Sequence, residues 1–463
     1  MRLKVHLPPP PAQPWPAVVE QPRPGGGTAA PAVLLTATLR WPIAARLAMA
    51  FTDLGCRVEA LCPSGHPVTH TRAARRIHAH STLMPLLALR HAIASAAPDL
   101  IVPCDDDAAI LLQRLHELSD TSSADGCRVR ELIARSLGAP LACGLATTRG
   151  QLLALAAETG VRIPQTTVVA TAEELREWIA AHRLPAVIKI DCTWGGQGVA
   201  IVRSHEEARR MFDRMAARPP IANALLRLLL DRDTSALANA LREARRSVTV
   251  QDFIAGIPAN RAIACWRGEV LAGTSVEAIR TQHPTGPATV VRVVDNAQMS
   301  DAARRLARRL GLSGLWGLDF MIEASTGAAY LIEMNPRATP ICHLPLGAAH
   351  DLPAALCEAI TGVAPAVCRE PIEQGLIALF PGEWHRNPGS RYLGCAHHDV
   401  PWREPELVRD GADRPWSERG FVARAWARLR PRAPLPRMPH AVPSPADSNP
   451  ECHASMFTVE KAR

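Results

Sequence analysis

Leu184-Pro185-Ala186-Val187-Ile188-Lys189-Ile190, with Gly195-Gly196-Gln197-Gly198 soon after, is the stretch on which the fold turns. Only three of the chain's 52 Lys and Arg residues are lysine: Lys4, Lys189 and Lys461. A chain so biased toward arginine has kept a lysine in the middle of an apolar strand. Arginine is a planar fork, whereas lysine is a compact point charge that can sit against one phosphate oxygen. A stray lysine snorkelling from a strand edge is the plainer alternative. The apolar strand, the single lysine and the Gly loop in that order favour a nucleotide. Val199 to Val202 reads as another strand, so the Gly loop joins two strands. A P-loop joins a strand to a helix and carries Gly-Lys-Ser/Thr, so a Walker site and the dinucleotide fingerprint are excluded. The glycines form a hairpin flap whose amides can face an anion at no steric cost.

Working outward, the 463 residues suffice for two or three domains. Ala32 to Thr36, Arg57 to Leu61 and Asp99 to Pro103 read as buried strands, with a helix from Ala44 to Leu54 between the first two. That alternation predicts a parallel sheet. Cys104-Asp105-Asp106-Asp107 closes the third strand. Its carboxylates suit either a ligand at the strand's carboxyl end or, the favoured reading, a helix N-cap. Thr171 with Glu174, and Ser204 with Glu207, are capping boxes. Residues 212–246 read as helical. Val248 to Ile254 is a strand, Asn260 to Ala272 a hairpin and Ala302 to Leu310 an amphipathic helix.

A second hairpin, Trp316 to Glu323 and Ala329 to Met334, turns at Ser325-Thr326-Gly327. Asp319 interrupts its apolar first strand, and Tyr330-Leu331-Ile332-Glu333-Met334-Asn335-Pro336-Arg337 forms the return. Side chains alternate along a strand, so Glu333 and Asn335 share a face that Asp319 can join. Two carboxylates and an amide oxygen make a hard oxygen set suited to Mg²⁺ carrying nucleotide phosphates.

The order of these parts, from lysine strand and Gly flap through Gln251-Asp252-Phe253-Ile254 to Asp319 and Glu333-x-Asn335-x-Arg337, resembles the ATP-grasp superfamily. The resemblance covers about residues 30–365 and is nearest the carbamoyl-phosphate-synthase-like and biotin-carboxylase-like branch. It implies an α/β N-terminal domain followed by an α+β ATP-grasp fold of two subdomains. The expected division is 1–30, a disordered Pro/Gly-rich end; 31–145, the αβα domain before the ATP-grasp; 146–365, the ATP-grasp domain; 366–427, an appended segment; and 428–463, a disordered Pro-rich tail. The resemblance further implies that ATP and Mg²⁺ (or Mn²⁺) bind between the subdomains. Lys189 and Arg149 would contact phosphates, and Gly195, Gly196, Gln197 and Gly198 would close over them. Gln251, Asp252, Phe253 and Ile254 would form the adenine hinge. Asp319, Glu333 and Asn335 would bind the metal, and Arg337 would hold the reacting substrate.

The implied activity is ligation of a small-molecule carboxylate, through an acyl phosphate, to an amine or thiol. The other reading is an ATP-binding protein without ligase activity, acting in regulation or assembly. It draws on Gln251, where the family often has Glu, and on Pro258, near where a ribose-binding carboxylate often follows.

Composition narrows the remaining classes. The net charge is +8, but few aromatics interleave with the scattered arginines, so nucleic-acid binding is not expected. The 12 cysteines include no Cys-x-x-Cys pair, which argues against a zinc site and fits reduced thiols. Neither a secretory apolar segment near Met1 nor a membrane-spanning run is evident, so a cytoplasmic protein is expected. A homodimer is left open. His397, His398 and Asp399 read as structural, because adjacent strand residues face opposite ways.

Overall fold

The computed structural model describes residues 30–139, 142, 144, 146, 148–190, 198–216 and 248–413. Gly195, Gly196, Gln197, most of the 212–246 stretch and both expected disordered ends lie outside the described residues, apart from residue 30.

Three sheets organise the chain. The first is parallel, formed by β1 (Ala32–Thr36), β2 (Arg57–Cys62), β3 (Arg76–Ala79) and β4 (Leu100–Pro103) in the order β3-β2-β1-β4. Apolar runs form these strands, and β1 is buried along its whole length, as a strand covered on both faces must be. After β3 the chain crosses to the other side of β1. This creates a switch point where the carboxyl ends of β1 and β4 lie side by side.

The second sheet is antiparallel: β5 (Thr166–Val169), β6 (Ala186–Ile190), β7 (Val199–Val202) and β8 (Val248–Asp252), ordered β5-β8-β6-β7. Period-two alternation sends Ala186, Ile188 and Ile190 of β6 into a core with Trp178, Ile179 and Phe212. Lys189 therefore faces the other way. The helices Ala172–Ala181 and His205–Ala216 cover the apolar face. Both capping boxes form at their starts, with Thr171 Oγ1 accepting from Glu174 N and Ser204 Oγ accepting from Glu207 N, each at 3.1 Å.

The third sheet has seven strands: β9 (Gly256–Trp266), β10 (Glu269–Thr281), β11 (Ala288–Val294), β12 (Gly314–Glu323), β13 (Ala329–Asn335), β14 (Leu376–Leu379) and β15 (His397–Asp399). Their order is β13-β12-β9-β10-β11-β14-β15, so the region after residue 366 supplies two strands at one edge. Trp316, Leu318 and Phe320 of β12 pack on one face with the helix Ala297–Leu310. Ala262, Ala264 and Leu315 join Phe51 and Leu356 in the core on the other face. That core ties the third sheet to the first.

The favoured reading of Asp105 is borne out and extended. It caps the helix Asp106–Leu118, accepting from Ala108 N at 2.8 Å. It also accepts from Thr38 N at 2.6 Å, Leu39 N at 2.9 Å and Thr38 Oγ1 at 2.8 Å, while its own residue is fully buried. One carboxylate thus fixes the loop after β1 against the end of β4. Replacing it by Ala leaves three backbone donors without that acceptor. Asp105→Ala is expected to lower stability by about 3 kcal/mol. Urea unfolding checks this.

Candidate active site

Lys189 and the acidic hairpin come from different sheets and meet in one cluster. On β12, Leu315, Gly317 and Asp319 share a face, and Asp319 pairs directly with Glu333 of β13. Gly317 pairs with Asn335, which places the amide beside the two carboxylates. A Cβ on Gly317 would lie 2.1 Å from Thr339 Cγ2 and 3.5 Å from Asn260 Nδ2, so the floor of the cluster requires glycine.

Hydrogen bonds hold this set in register. Asn260 Nδ2 donates to Asp319 Oδ1 at 2.6 Å, and Asn335 Nδ2 donates to Asp319 Oδ2 at 2.9 Å. Arg337 Nη2 donates to Asn335 Oδ1 at 3.1 Å, and Arg337 Nε donates to Asp106 Oδ2 at 2.9 Å. The Arg337 guanidinium also lies 4.9 Å from the centroid of the Trp41 ring. Arg149, the first residue of the helix Arg149–Glu158, bridges the two sheets. Its Nη2 lies 3.1 Å from Glu333 Oε2, and its Nη1 donates to the Ile190 carbonyl at 3.3 Å. A guanidinium in a first helical turn opposes the helix dipole, so its buried place there needs the carboxylate or another anion.

The electrostatics follow from burial and crowding. Desolvation, reinforced by Arg149, pushes the Lys189 ammonium down to about 7, with Glu333 and Asp319 opposing that fall. Burial and the nearby Glu333 charge raise the Asp319 carboxyl, against the hydrogen bonds from Asn260 and Asn335. Burial also acts to raise Glu333, but Arg149, Lys189 and Arg337 outweigh it and hold Glu333 below the ordinary carboxylate range.

Two neighbouring carboxylates that push one titration upward are what a shared cation would relieve. With the Asn335 amide oxygen they form a hard donor set, and this chemistry fits a divalent cation. Among the described residues no group of three or more His, Cys, Asp and Glu forms a metal cluster, so this mixed carboxylate–amide set is the candidate. Lys189 and Arg149 fit an adjacent phosphate.

The remaining expected site residues are more dispersed. Gly198 is buried where β7 begins, and its carbonyl accepts from Ile190 N at 3.0 Å, closing the hairpin. Gln251 is buried within β8, its amide donating to Thr166 Oγ1 at 3.1 Å. Asp252 ends that strand, and Phe253 and Ile254 lead into β9 at Gly256, so this short segment connects the second sheet to the third. Sequence reasoning missed Asn260, Trp41 and the pairing of Asp106 with Arg337. Asn260 shares a strand face with the buried, apolar Ala262 and Ala264, a pattern that marks a polar side chain on a covered face.

The Lys189 shift makes a sign-definite stability prediction. Its folded-state value lies below its unfolded one, so the cost of burying the ammonium is full below pH 7 and fades as pH rises toward 10.5. Lys189→Met should therefore unfold at a higher temperature than the parent below pH 7. The gap should shrink between pH 7 and 10, as scanning calorimetry can read.

Residues 152–340 match the family model of the ATP-grasp domain. The carbamoyl phosphate synthase large chain of Thermus thermophilus is 23% identical over 181 residues, which is 39% of this chain and 16% of that one. The corresponding chain of Mycobacterium tuberculosis is 26% identical over 186 residues, 40% of this chain and 15% of that one. The protein thus spans about one sixth of the length of these curated relatives. Among solved structures, biotin carboxylase from Campylobacter jejuni aligns with TM-score 0.53 and 13% identity, covering 74% of each chain. The biotin carboxylase domain of Hydrogenobacter thermophilus 2-oxoglutarate carboxylase, in complex with MgADP, ADP and bicarbonate, aligns at 0.52 and 15%, covering 73% of this chain and 71% of that one. N5-carboxyaminoimidazole ribonucleotide synthetase from Thermus thermophilus gives 0.51 and 16%, covering 73% and 80%. At these identities the structural likeness carries the fold. No described helix is long and apolar enough to cross a membrane. The three-sheet fold and the domain match agree: residues 152–340 match the ATP-grasp domain, and the solved structures share the fold around it.

Proposed function

We propose that this protein is an ATP- and Mg²⁺-dependent ligase that activates a small-molecule carboxylate as an acyl phosphate for attack by an amine or thiol. One observation supports this above the others. Lys189 and Arg149 converge on the Asp319–Glu333 pair from a different sheet and helix, setting two cations against two carboxylates in one cluster, which suits a phosphate beside a divalent cation. The activities of the similar enzymes point the same way.

In this reading Asp319, Glu333 and Asn335 hold the divalent cation. Such a cation, when bound, neutralises phosphate oxygens and lowers the cost of charge building up as the γ-phosphoryl leaves. Lys189 regains its proton against a phosphate and supplies a fixed positive charge without waiting on solvent. Arg149 keeps Glu333 ionised and oriented, and its fixed positive charge faces the same phosphate. By the resemblance, Gly195, Gly196, Gln197 and Gly198, which lie in sequence between β6 and β7, would contact the nucleotide. Gln251, Asp252, Phe253 and Ile254 line the adenine side where the second sheet passes into the third. Arg337, held from behind by Asp106 and Trp41, presents its outer edge to the substrate carboxylate and then to the acyl phosphate. The reaction is positioning and electrostatics applied to an in-line displacement.

The test is ADP release from MgATP against pools of carboxylic acids with amines and thiols. A substrate-stimulated rate should fall by about 10²-fold or more in Glu333→Gln and in Lys189→Ala. Stimulated turnover that survives both changes contradicts the reading. Tight MgATP binding without turnover in any pool turns it toward a nucleotide-binding regulator.

A further inference from the structure

Arg337 carries a charge that cannot be removed by deprotonation, so what its guanidinium touches decides the state of the site. Its Nε bonds to Asp106 Oδ2 at 2.9 Å, its Nη2 to Asn335 Oδ1 at 3.1 Å and its Nη1 to the Ala338 carbonyl at 3.3 Å. Asp106 lies 231 residues away in sequence, at the start of the helix that leaves β4 of the first sheet. The two side chains are 12% and 25% exposed, so the pair is well shielded from water. Asp319 and Glu333 stand within the electrostatic reach of the same guanidinium.

These facts set up a competition. Asn335 separates Arg337 from Asp319 by only two hydrogen bonds. A buried guanidinium that loses one carboxylate partner seeks another, because an unpaired buried charge is costly. The carboxylates within its reach are those suited to the metal. On the opposite side, the Trp41 ring and Asp106 together draw the guanidinium toward the first sheet.

We propose that Asp106 is a positioning residue: its carboxylate holds Arg337 off Asp319 and Glu333 and so keeps that pair open to a divalent cation. The inference rests on the ligase reading above, and it makes the N-terminal sheet a working part of the metal site. Arg337 then has two tasks that Asp106 reconciles, since it must stay near the reacting phosphate without neutralising the metal's ligands.

The experiment compares ADP affinity with Mg²⁺ and with a chelator, by calorimetry on the full chain. Asp106→Asn, close in shape but uncharged, should cut the Mg²⁺-dependent gain in affinity by about tenfold, while chelated ADP binds within about twofold of the parent. Asp106→Glu should keep most of the gain. The decisive variant is Asp106→Asn combined with Arg337→Met. Removing the released guanidinium should restore the Mg²⁺-dependent gain, a recovery that a purely structural role for Asp106 does not produce. Unchanged Mg²⁺ dependence in Asp106→Asn overturns the inference, and so does a double variant no better than the single one. If ADP binding by the parent is independent of Mg²⁺, the ligase reading itself fails.

Discussion

The site is organised around the placement of one buried amine, Lys189. Lys189 is only 5% exposed and lies where Arg149 also brings positive charge, with Glu333 and Asp319 as the opposing anions. Burial of a charge is tolerated only with partners, and here the partners arrive on different elements. The acidic pair comes from β12 and β13, Arg149 from a helix N-terminus, and Lys189 from β6. Each is a liability alone and acceptable only when the others are present. The cluster is therefore poised: burial and Arg149 disfavour the charged form of Lys189, and an anionic phosphate beside it favours that form again.

The fold serves that arrangement. The second sheet presents Lys189 because strand alternation commits Ala186, Ile188 and Ile190 to its own apolar core. The third sheet presents Asp319 and Glu333 because Trp316, Leu318 and Phe320 take the opposite face. The first sheet brings Asp105 and Asp106 to a switch point. There one carboxylate builds the loop and its neighbour meets Arg337. Gly317 leaves the space that Thr339 and Asn260 occupy beside Asp319.

Much of this was legible in the sequence because it is local. The apolar strand around Lys189 was readable directly, and period-two alternation was enough to put Asp319, Glu333 and Asn335 on one face. The capping boxes at Thr171 and Ser204 and the parallel first sheet were readable for the same reason. What could not be read was long-range. Asn260 reaches Asp319 across 59 residues, and Asp106 reaches Arg337 across 231. No periodicity records such partners. The aspartates after β4 looked like one capping motif, whereas adjacent positions in a helix's first turn point in different directions and take different tasks. The segment after residue 366 looked appended because β14 and β15 are short, yet edge pairing carries them into the third sheet.

If Lys189 waits near neutrality for a phosphate, nucleotide binding must draw a proton onto it. Calorimetric titration of MgADP at pH 8, in buffers of differing ionisation enthalpy, measures that proton directly. The account predicts net uptake approaching one proton per site, lost in Lys189→Met. Binding with no proton uptake, or uptake that persists without Lys189, would contradict it.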